Sequence, residues 1–253
     1  MKSMNAREAL EISRKVKENV KKSIKKIEDK GVNVGMGKDG TPTKKIDKVA
    51  EDAALEILKE YDVKIVSEEI GVVGDGDITV ALDPIDGTFN ASRDIPIYCI
   101  SLCFSKSKYF RDVFLGYVYN LAVDVEYYAN NYAYKNGEKI EVSDENSVYC
   151  NAIVYYPKKD YGFRRIRIFG SAALELCFVA DGSVDCFIDL RGKNGFLRIY
   201  DVAAGAYIAK RANAIVTDLE GNNLDYKQFT MEERLHIIAA NRKLHEKLVK
   251  LIK

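Results

Sequence analysis

Histidine occurs only twice, at His236 in an apolar run and at His245 on a polar C-terminal stretch. That scarcity argues against a Ser-His-Asp triad and against a histidine-based zinc site. The five cysteines, Cys99, Cys103, Cys150, Cys177 and Cys186, are an odd set without a C-x-x-C pair. They make neither a disulfide scaffold nor a zinc ribbon and read as small buried hydrophobes. A single disulfide, for example Cys150 to Cys186 on two strand-like runs, stays open, and in a cytosol it would suit a hyperthermophilic source. Glutamine is nearly missing, with Gln228 alone, a mark of heat adaptation that the ordinary asparagine content weakens. Charge of one sign is also missing: 39 Lys+Arg against 38 Asp+Glu leave a net +1. A protein built mainly to coat nucleic acid would be far more basic. No stretch approaches the ~20 apolar residues of a spanning helix. The opening MKSMNAREALEISRK is charged and lacks the apolar core of a signal peptide. These absences lead us to expect a cytoplasmic protein with no membrane and no nucleic-acid partner.

What is present is an ordinary globular composition, 47% hydrophobic and 30% charged over 253 residues. A chain of this length buries roughly 70–75% of its unfolded surface and needs no staples. Leu10, Ile12, Val16, Val20, Ile24 and Ile27 recur at helical spacing behind an Asn5–Glu8 capping signal. The lysines between them are read as the solvated face. A glycine-rich stretch, 34–43, separates this helix from a second one through Val49, Ala50, Ala53, Leu55 and Leu58. Gly35-Met36-Gly37-Lys38-Asp39-Gly40 matches G-x-G-x-x-G, but a helix precedes it and Thr41-Pro42-Thr43 follows it. A dinucleotide site needs a strand before and a helix after, so a flexible loop is expected instead. Neither a G-x-S-x-G elbow nor a G-x-x-x-x-G-K-[ST] loop occurs.

The period then changes to strands at 63–67, 78–82, 98–104, 113–119 and 126–141, the last with an Asn136-Gly137 hairpin turn. Beyond the polar stretch 143–147 the pattern alternates: strand 148–156, helix 171–180, strand 184–189, helix 202–211, strands 214–217 and 237–240, helix 243–252. Residues 1–143 are thus expected to form an α+β half with an antiparallel sheet. Residues 144–253 are expected to form an α/β half with a mainly parallel sheet. The two are expected to pack tightly as one catalytic unit.

The informative residues are carboxylates at strand ends. Glu68-Glu69 follow the strand 63–67, Asp83-Pro84-Ile85-Asp86-Gly87-Thr88 follow 78–82, and Asp201 precedes a helix. Pro84 stiffens the turn that aims Asp83 and Asp86 at one point. Oxygen ligands without His or Cys select Mg²⁺ or Mn²⁺ over zinc. Glu68, Asp83, Asp86 and Asp201 would repel one another unless cations bind or some protonate. Paired metals about 3.5–4 Å apart suit phosphate-ester hydrolysis. The amides of Gly87 and Thr88 would then meet the phosphate. Taken singly, Asp201 is an ordinary helix N-cap, Glu69 a surface acid, and Asp75 and Asp77 turn residues. The combination in this order is what carries specificity. Residues 163–169 also alternate arginines with apolar side chains, and Arg191 ends a strand. Arg167, just before a turn into a helix, and Arg191 are therefore candidate functional arginines, whereas a solvated strand edge would explain Arg165.

Ser67-Glu68-Glu69, Asp83-Pro84-Ile85-Asp86-Gly87-Thr88 and Tyr200-Asp201-Val202-Ala203-Ala204-Gly205 together resemble the signatures of the inositol monophosphatase superfamily, which includes the fructose-1,6-bisphosphatases. Tyr200 stands where many members carry Trp. The compact length is most similar to archaeal members, which act on both inositol-1-phosphate and fructose-1,6-bisphosphate. The resemblance implies an α+β fold, a layered αβαβα sandwich, in a homodimer that uses two or three Mg²⁺ ions, with Mn²⁺ as a substitute. It implies metal binding by the side chains of Glu68, Asp83, Asp86 and Asp201 and by the carbonyl of Ile85. Asp86, Gly87 and Thr88 would hold the phosphate, and Arg167, Ala172 and Arg191 would contact the rest of a sugar or polyol phosphate. Tyr155 would line the same cleft. Thr88 with Asp47 would help activate the attacking water beside Glu68, residues 35–43 would be a mobile catalytic loop, and Asp39 would approach a third metal. The same motifs admit a 3′-phosphonucleotide phosphatase. A catalytically retired homologue that binds another protein is the alternative from a different class.

Overall fold

Apolar residues at helical spacing behind an asparagine cap start the fold. The computed structural model describes residues 4–38 and 40–253. Helix α1 (Ala6–Ile24) follows Asn5, whose side chain accepts from the amides of Arg7 and Glu8. It buries Ala9, Ile12, Val16, Val20 and Ile24. The glycine-rich stretch is not a plain loop. It forms an antiparallel hairpin of β1 (Asn33–Met36) and β2 (Pro42–Lys44). The amide of Gly37 closes it onto the Thr41 carbonyl at 2.8 Å. Thr and Pro after the glycines favour extended backbone, which the glycine count concealed. Helix α2 (Lys45–Leu58) follows directly.

The first sheet holds β3 (Val63–Ser67), β4 (Gly71–Val73), β5 (Ile78–Asp86), β6 (Cys99–Ser105), β7 (Val113–Asn120), β8 (Val125–Ala129), β9 (Ala133–Lys135) and β10 (Glu138–Lys139). Its order is β10-β9-β8-β7-β6-β5-β3-β4. The pair β3–β5 is parallel, and the other neighbours are antiparallel. Asn136 and Gly137, both with positive φ, make the turn between β9 and β10. A short helix, α3 (Thr88–Ala91), leaves the end of β5.

The second sheet is built from β11 (Asn151–Tyr155), β12 (Arg165–Arg167) and β13 (Cys186–Asp189), with α4 (Ala172–Ala180) between the last two. Then come β14 (Leu197–Arg198), α5 (Ile199–Arg211), β15 (Ala214–Thr217), β16 (Arg234–Leu235), β17 (Ile237–Asn241) and α6 (Arg242–Ile252). The sheet order is β12-β11-β13-β17-β15. The sheet is mainly parallel, with β12, β11, β13 and β15 running one way, and β17 alone among these strands pairs antiparallel, with both β13 and β15. Helix α5 does cross from β13 to a parallel β15, and β17 then inserts between them from the opposite direction. No sequence period reports that insertion.

Three apolar clusters define the layers. One joins α1 and α2 to the outer face of the first sheet. The largest joins the inner faces of both sheets through α4 and α5. The third joins the second sheet to α6. The result is an α+β fold layered αβαβα. Strand alternation sorts side chains between these layers: Ile100, Leu102 and Phe104 of β6 face α1 and α2, whereas Cys99 and Cys103 face α5. Gly116 lets α5 approach, since a Cβ there would lie 2.9 Å from the Ala204 carbonyl oxygen. All five cysteines are free and buried, including Cys150 and Cys186. No helix among the described residues is long and apolar enough to cross a membrane.

Candidate active site

The end of β5 meets the starts of α4 and α5 in the middle of the sandwich. Asp83 and Asp86 are buried there, and Ile85 lies between them. The Asp83 carboxylate accepts from the Ile85 amide at 3.0 Å. Burial first, then the charges of Asp86, Glu68, Asp201 and Asp47, hold Asp83 well above the usual carboxylate range. The charges of the other three expected metal ligands and of Asp47 thus all bear on this one carboxyl. Asp86 is held differently. Ser171 Oγ and the Ala173 amide donate to its Oδ2 at 2.7 Å each, and the Ala172 amide reaches its Oδ1 at 3.3 Å. Asp86 thereby caps α4 from a distant strand. Burial raises it to about 6, and the hydrogen bonds from Ser171, Ala173 and Ala172 oppose that rise. Asp201 opens α5 and accepts from the Arg198 amide at 2.8 Å. Burial raises it to about 7, against that bond and the nearby Arg198 and Arg191.

Asp47 and Thr88 form a direct pair. Thr88 Oγ1 lies 2.9 Å from Asp47 Oδ1 and 3.1 Å from the Ile85 carbonyl. The hydroxyl has one proton for these two acceptors. Asp47 also accepts from the Lys44 amide at 3.2 Å, and burial brings it to about 7. Gly87, with φ 94°, turns the chain from β5 into α3. A Cβ on it would meet the Ile97 and Gly170 carbonyls at 3.0 and 3.2 Å, so the turn accepts only glycine. Glu68 stands at the end of β3, with Thr41 Oγ1 3.4 Å from its Oε1. Beside it, Glu69 accepts from Thr43 Oγ1, and its carbonyl accepts from the Lys38 amide at 3.1 Å. The β1–β2 hairpin is therefore docked at the carboxylate cluster. Asp39 lies outside the described residues.

The substrate-contact expectations fare unevenly. Arg191 pairs with the fully buried Asp189, its Nε 2.9 Å from Oδ2, and lies over the rings of Tyr155 and Phe196 at 4.0 and 4.2 Å. It is thus fixed at the mouth of the second sheet, close enough to act on Asp201. Tyr155 shares that position. Its hydroxyl donates to Glu175 at 2.7 Å. Ala172 contributes its amide, which is spent on Asp86. Arg167 is exposed on the edge strand β12 and bonds the neighbouring Ile166 carbonyl at 2.9 Å. Among the described residues it makes no bond to the cluster.

Sequence reasoning missed Glu51 and Glu175, both buried. Glu51 accepts from Ser67 Oγ and the Ile70 amide, which ties α2 to the turn bearing Glu68. Glu175 accepts from the amides of Phe169 and Gly170 and from Tyr155. Its signal was legible: an acid in the otherwise apolar helix Ala172–Ala180.

The donor set suits a hard divalent cation. It offers carboxylate and carbonyl oxygens, Asp83, Asp86 and Asp201 form no ion pair with protein cations among the described residues, and burial keeps the neighbouring Cys99 thiol protonated. As they stand, His, Cys, Asp and Glu side chains among the described residues form no ready three-ligand cage.

The inositol monophosphatase family matches residues 3–253. A fructose-1,6-bisphosphatase/inositol-1-monophosphatase of Archaeoglobus fulgidus is 59% identical over 99% of this chain and 100% of its own length. A bifunctional NADP phosphatase/NAD kinase of Methanocaldococcus jannaschii is 36% identical over 96% of this chain, which spans 50% of that protein. A crystal structure of an inositol monophosphatase–fructose 1,6-bisphosphatase superposes with a TM-score of 0.84 at 35% identity, covering 95% of this chain and 98% of that one.

Proposed function

The chain belongs to the inositol monophosphatase family, and we propose that this phosphatase hydrolyses inositol-1-phosphate and fructose-1,6-bisphosphate in a cytoplasmic homodimer. The observation that supports the mechanism is a buried Asp83 on which the charges of Asp86, Glu68 and Asp201 all bear, beside the Asp47–Thr88 pair. Those four side chains and the Ile85 carbonyl would hold two or three Mg²⁺ ions, with Mn²⁺ able to replace them. Bound there, the cation supplies neutralising charge and acidifies water.

The chain's own groups do the rest. Thr88 Oγ orients the attacking water and takes its proton as its own proton passes to Asp47. With Asp47 brought to about 7, the pair works near neutral pH. The amides of Gly87 and Thr88, free of the helix's own bonds, face the phosphate. Glu51, bonded to Ser67 and the Ile70 amide, holds the Glu68 turn in place. Arg191 and Tyr155 line the side where the sugar or polyol lies, and the Asp189 pair keeps the guanidinium from swinging away.

Phosphate release from inositol-1-phosphate, fructose-1,6-bisphosphate, a 3′-phosphonucleotide and NADP, with Mg²⁺ and with excess chelator, tests the reading. The first two substrates are expected to turn over in Mg²⁺ and to stop in chelator. Turnover confined to the nucleotides would overturn the substrate assignment, and full activity in chelator would overturn the cation dependence.

A further inference from the structure

Beneath Asp83 lies a hydroxyl with nothing to do. Ser101 sits in the middle of β6, and its Oγ is sealed from solvent without a hydrogen-bond partner. The other fully buried serines with settled roles differ: Ser13 donates to the Ala9 carbonyl, Ser67 to Glu51 and Ser105 to the Tyr109 carbonyl, at 2.7–2.9 Å. Ser171 donates to Asp86 at 2.7 Å. A buried orphan hydroxyl costs stability, and a strand neighbour such as alanine or valine would remove the cost.

The register says what that hydroxyl faces. Ser101 lies directly opposite Asp83 on β5 and opposite Val118 on β7. Directly opposed residues in an antiparallel pair share a face, with Cβ atoms about 4.5–5.5 Å apart. Cys99 and Cys103 put that face on the α5 side of the sheet. Gly116, opposite Cys103, brings the α5 backbone down onto it. The hydroxyl is thus enclosed by an apolar valine, by the close-packed helix and by Asp83. Asp83 in turn has one hydrogen bond, from the Ile85 amide to Oδ1, and no protein cation among the described residues. An unpaired donor and an under-supplied carboxylate face each other across one strand pair.

We propose that Ser101 is a positioning residue for Asp83: when a cation ionises Asp83, the unpaired hydroxyl turns to donate to that carboxylate and fixes it in the orientation that holds the ion. Carboxylate ligands are themselves held by hydrogen bonds, and removing such an outer partner costs 10- to 100-fold in metal affinity. This rests on the cation-dependent reading above. Ser101 touches neither substrate nor cation, so its effect runs through Asp83.

The test uses Ser101→Ala and Ser101→Thr, read by calorimetric Mg²⁺ titration and by thermal unfolding with and without Mg²⁺. Ser101→Ala is expected to unfold in chelator at the wild-type temperature or above, because it deletes an unsatisfied group. Its Mg²⁺ affinity should fall at least about tenfold, with a smaller Mg²⁺-induced rise in Tm. Ser101→Thr keeps the hydroxyl and should restore most of the affinity. A purely structural serine would give the opposite pattern, a lower Tm in chelator and unchanged Mg²⁺ affinity, and that result overturns the proposal. Equal affinity in wild type and Ser101→Ala overturns it as well. If wild type itself takes up no Mg²⁺, the cation reading falls and this proposal falls with it.

Discussion

Glu175 offers a stability measurement that does not depend on turnover. Its carboxyl is fully buried in α4, and burial raises it from 4.5 to about 7 against three hydrogen-bond donors. The folded state therefore holds a proton that the unfolded chain releases near pH 4.5. Stability from this group is present below that value and declines as pH rises toward 7, because the unfolded state gains from ionising first. With those two values, ionisation costs the folded state about 1 kcal/mol at pH 5 and roughly 3 kcal/mol at pH 8. Glu175→Gln cannot ionise, and its amide still serves the site. The oxygen accepts from Phe169 and Gly170, and the NH₂ donates to Tyr155. Urea unfolding in chelator at both pH values should show the variant gaining about 2–3 kcal/mol on wild type between pH 5 and pH 8. Asp47, Asp86 and Asp201 titrate in the same window but are common to both proteins, so the difference reports Glu175 together with its coupling to Asp86. A variant-minus-wild-type difference that is the same at both pH values would refute the protonated Glu175.

Asp83→Asn should fold and lose at least about 10²-fold in kcat in Mg²⁺, since it removes a charged ligand while relieving carboxylate repulsion. A near-wild-type rate would exclude Asp83 as a ligand. Thr88→Val should cost about 10²- to 10⁴-fold in kcat by cutting the link to Asp47, with the pH–rate profile losing the limb near 7. Arg191→Ala should destabilise the fold by about 3–5 kcal/mol, because it strands the buried Asp189, and Asp189→Ala with Arg191→Ala should recover much of that loss in urea unfolding. In the refolded double variant, kcat/KM for fructose-1,6-bisphosphate should fall about tenfold more than for inositol-1-phosphate if the guanidinium grips the second phosphate; equal losses would assign it to the sugar.

Much of this was legible because strand ends and helix starts announce themselves. The periodic apolar positions of α1 and α2, the Asn136-Gly137 turn and the carboxylates after β3 and β5 lie where the residues put them. Other features depend on partners far along the chain. Asp86 caps α4 through Ser171, Ala172 and Ala173, more than eighty positions away, and no local pattern encodes that. The hairpin at 33–44 was hidden because three glycines suggest irregular backbone, whereas Asn33, Gly35 and Met36 pair with Lys44, Thr43 and Pro42. Arg167 looked like part of a basic strand face. It is such a face, but on an exposed edge, where alternation alone cannot say which side meets the site. The reversed direction of β17 is likewise a topological fact that composition does not carry.

The three aspartates at the heart of the site are supplied with donors unequally, and their acidity follows the supply. Asp86 receives Ser171 Oγ and two α4 amides and stays at about 6. Asp201 receives one amide at the start of α5 and sits at about 7. Asp83 receives the Ile85 amide alone among the described residues and stands well above the ordinary range, with burial as the first cause and its neighbours' charges next. Donors stabilise the ionised form, and helix starts add a favourable field. The fold has thus spent the starts of α4 and α5 on Asp86 and Asp201 and left Asp83 to be neutralised from outside. A carboxylate in that position is stable as an anion only with a cation beside it, so the part of the site that the protein satisfies least is the part where a divalent ion has most to offer.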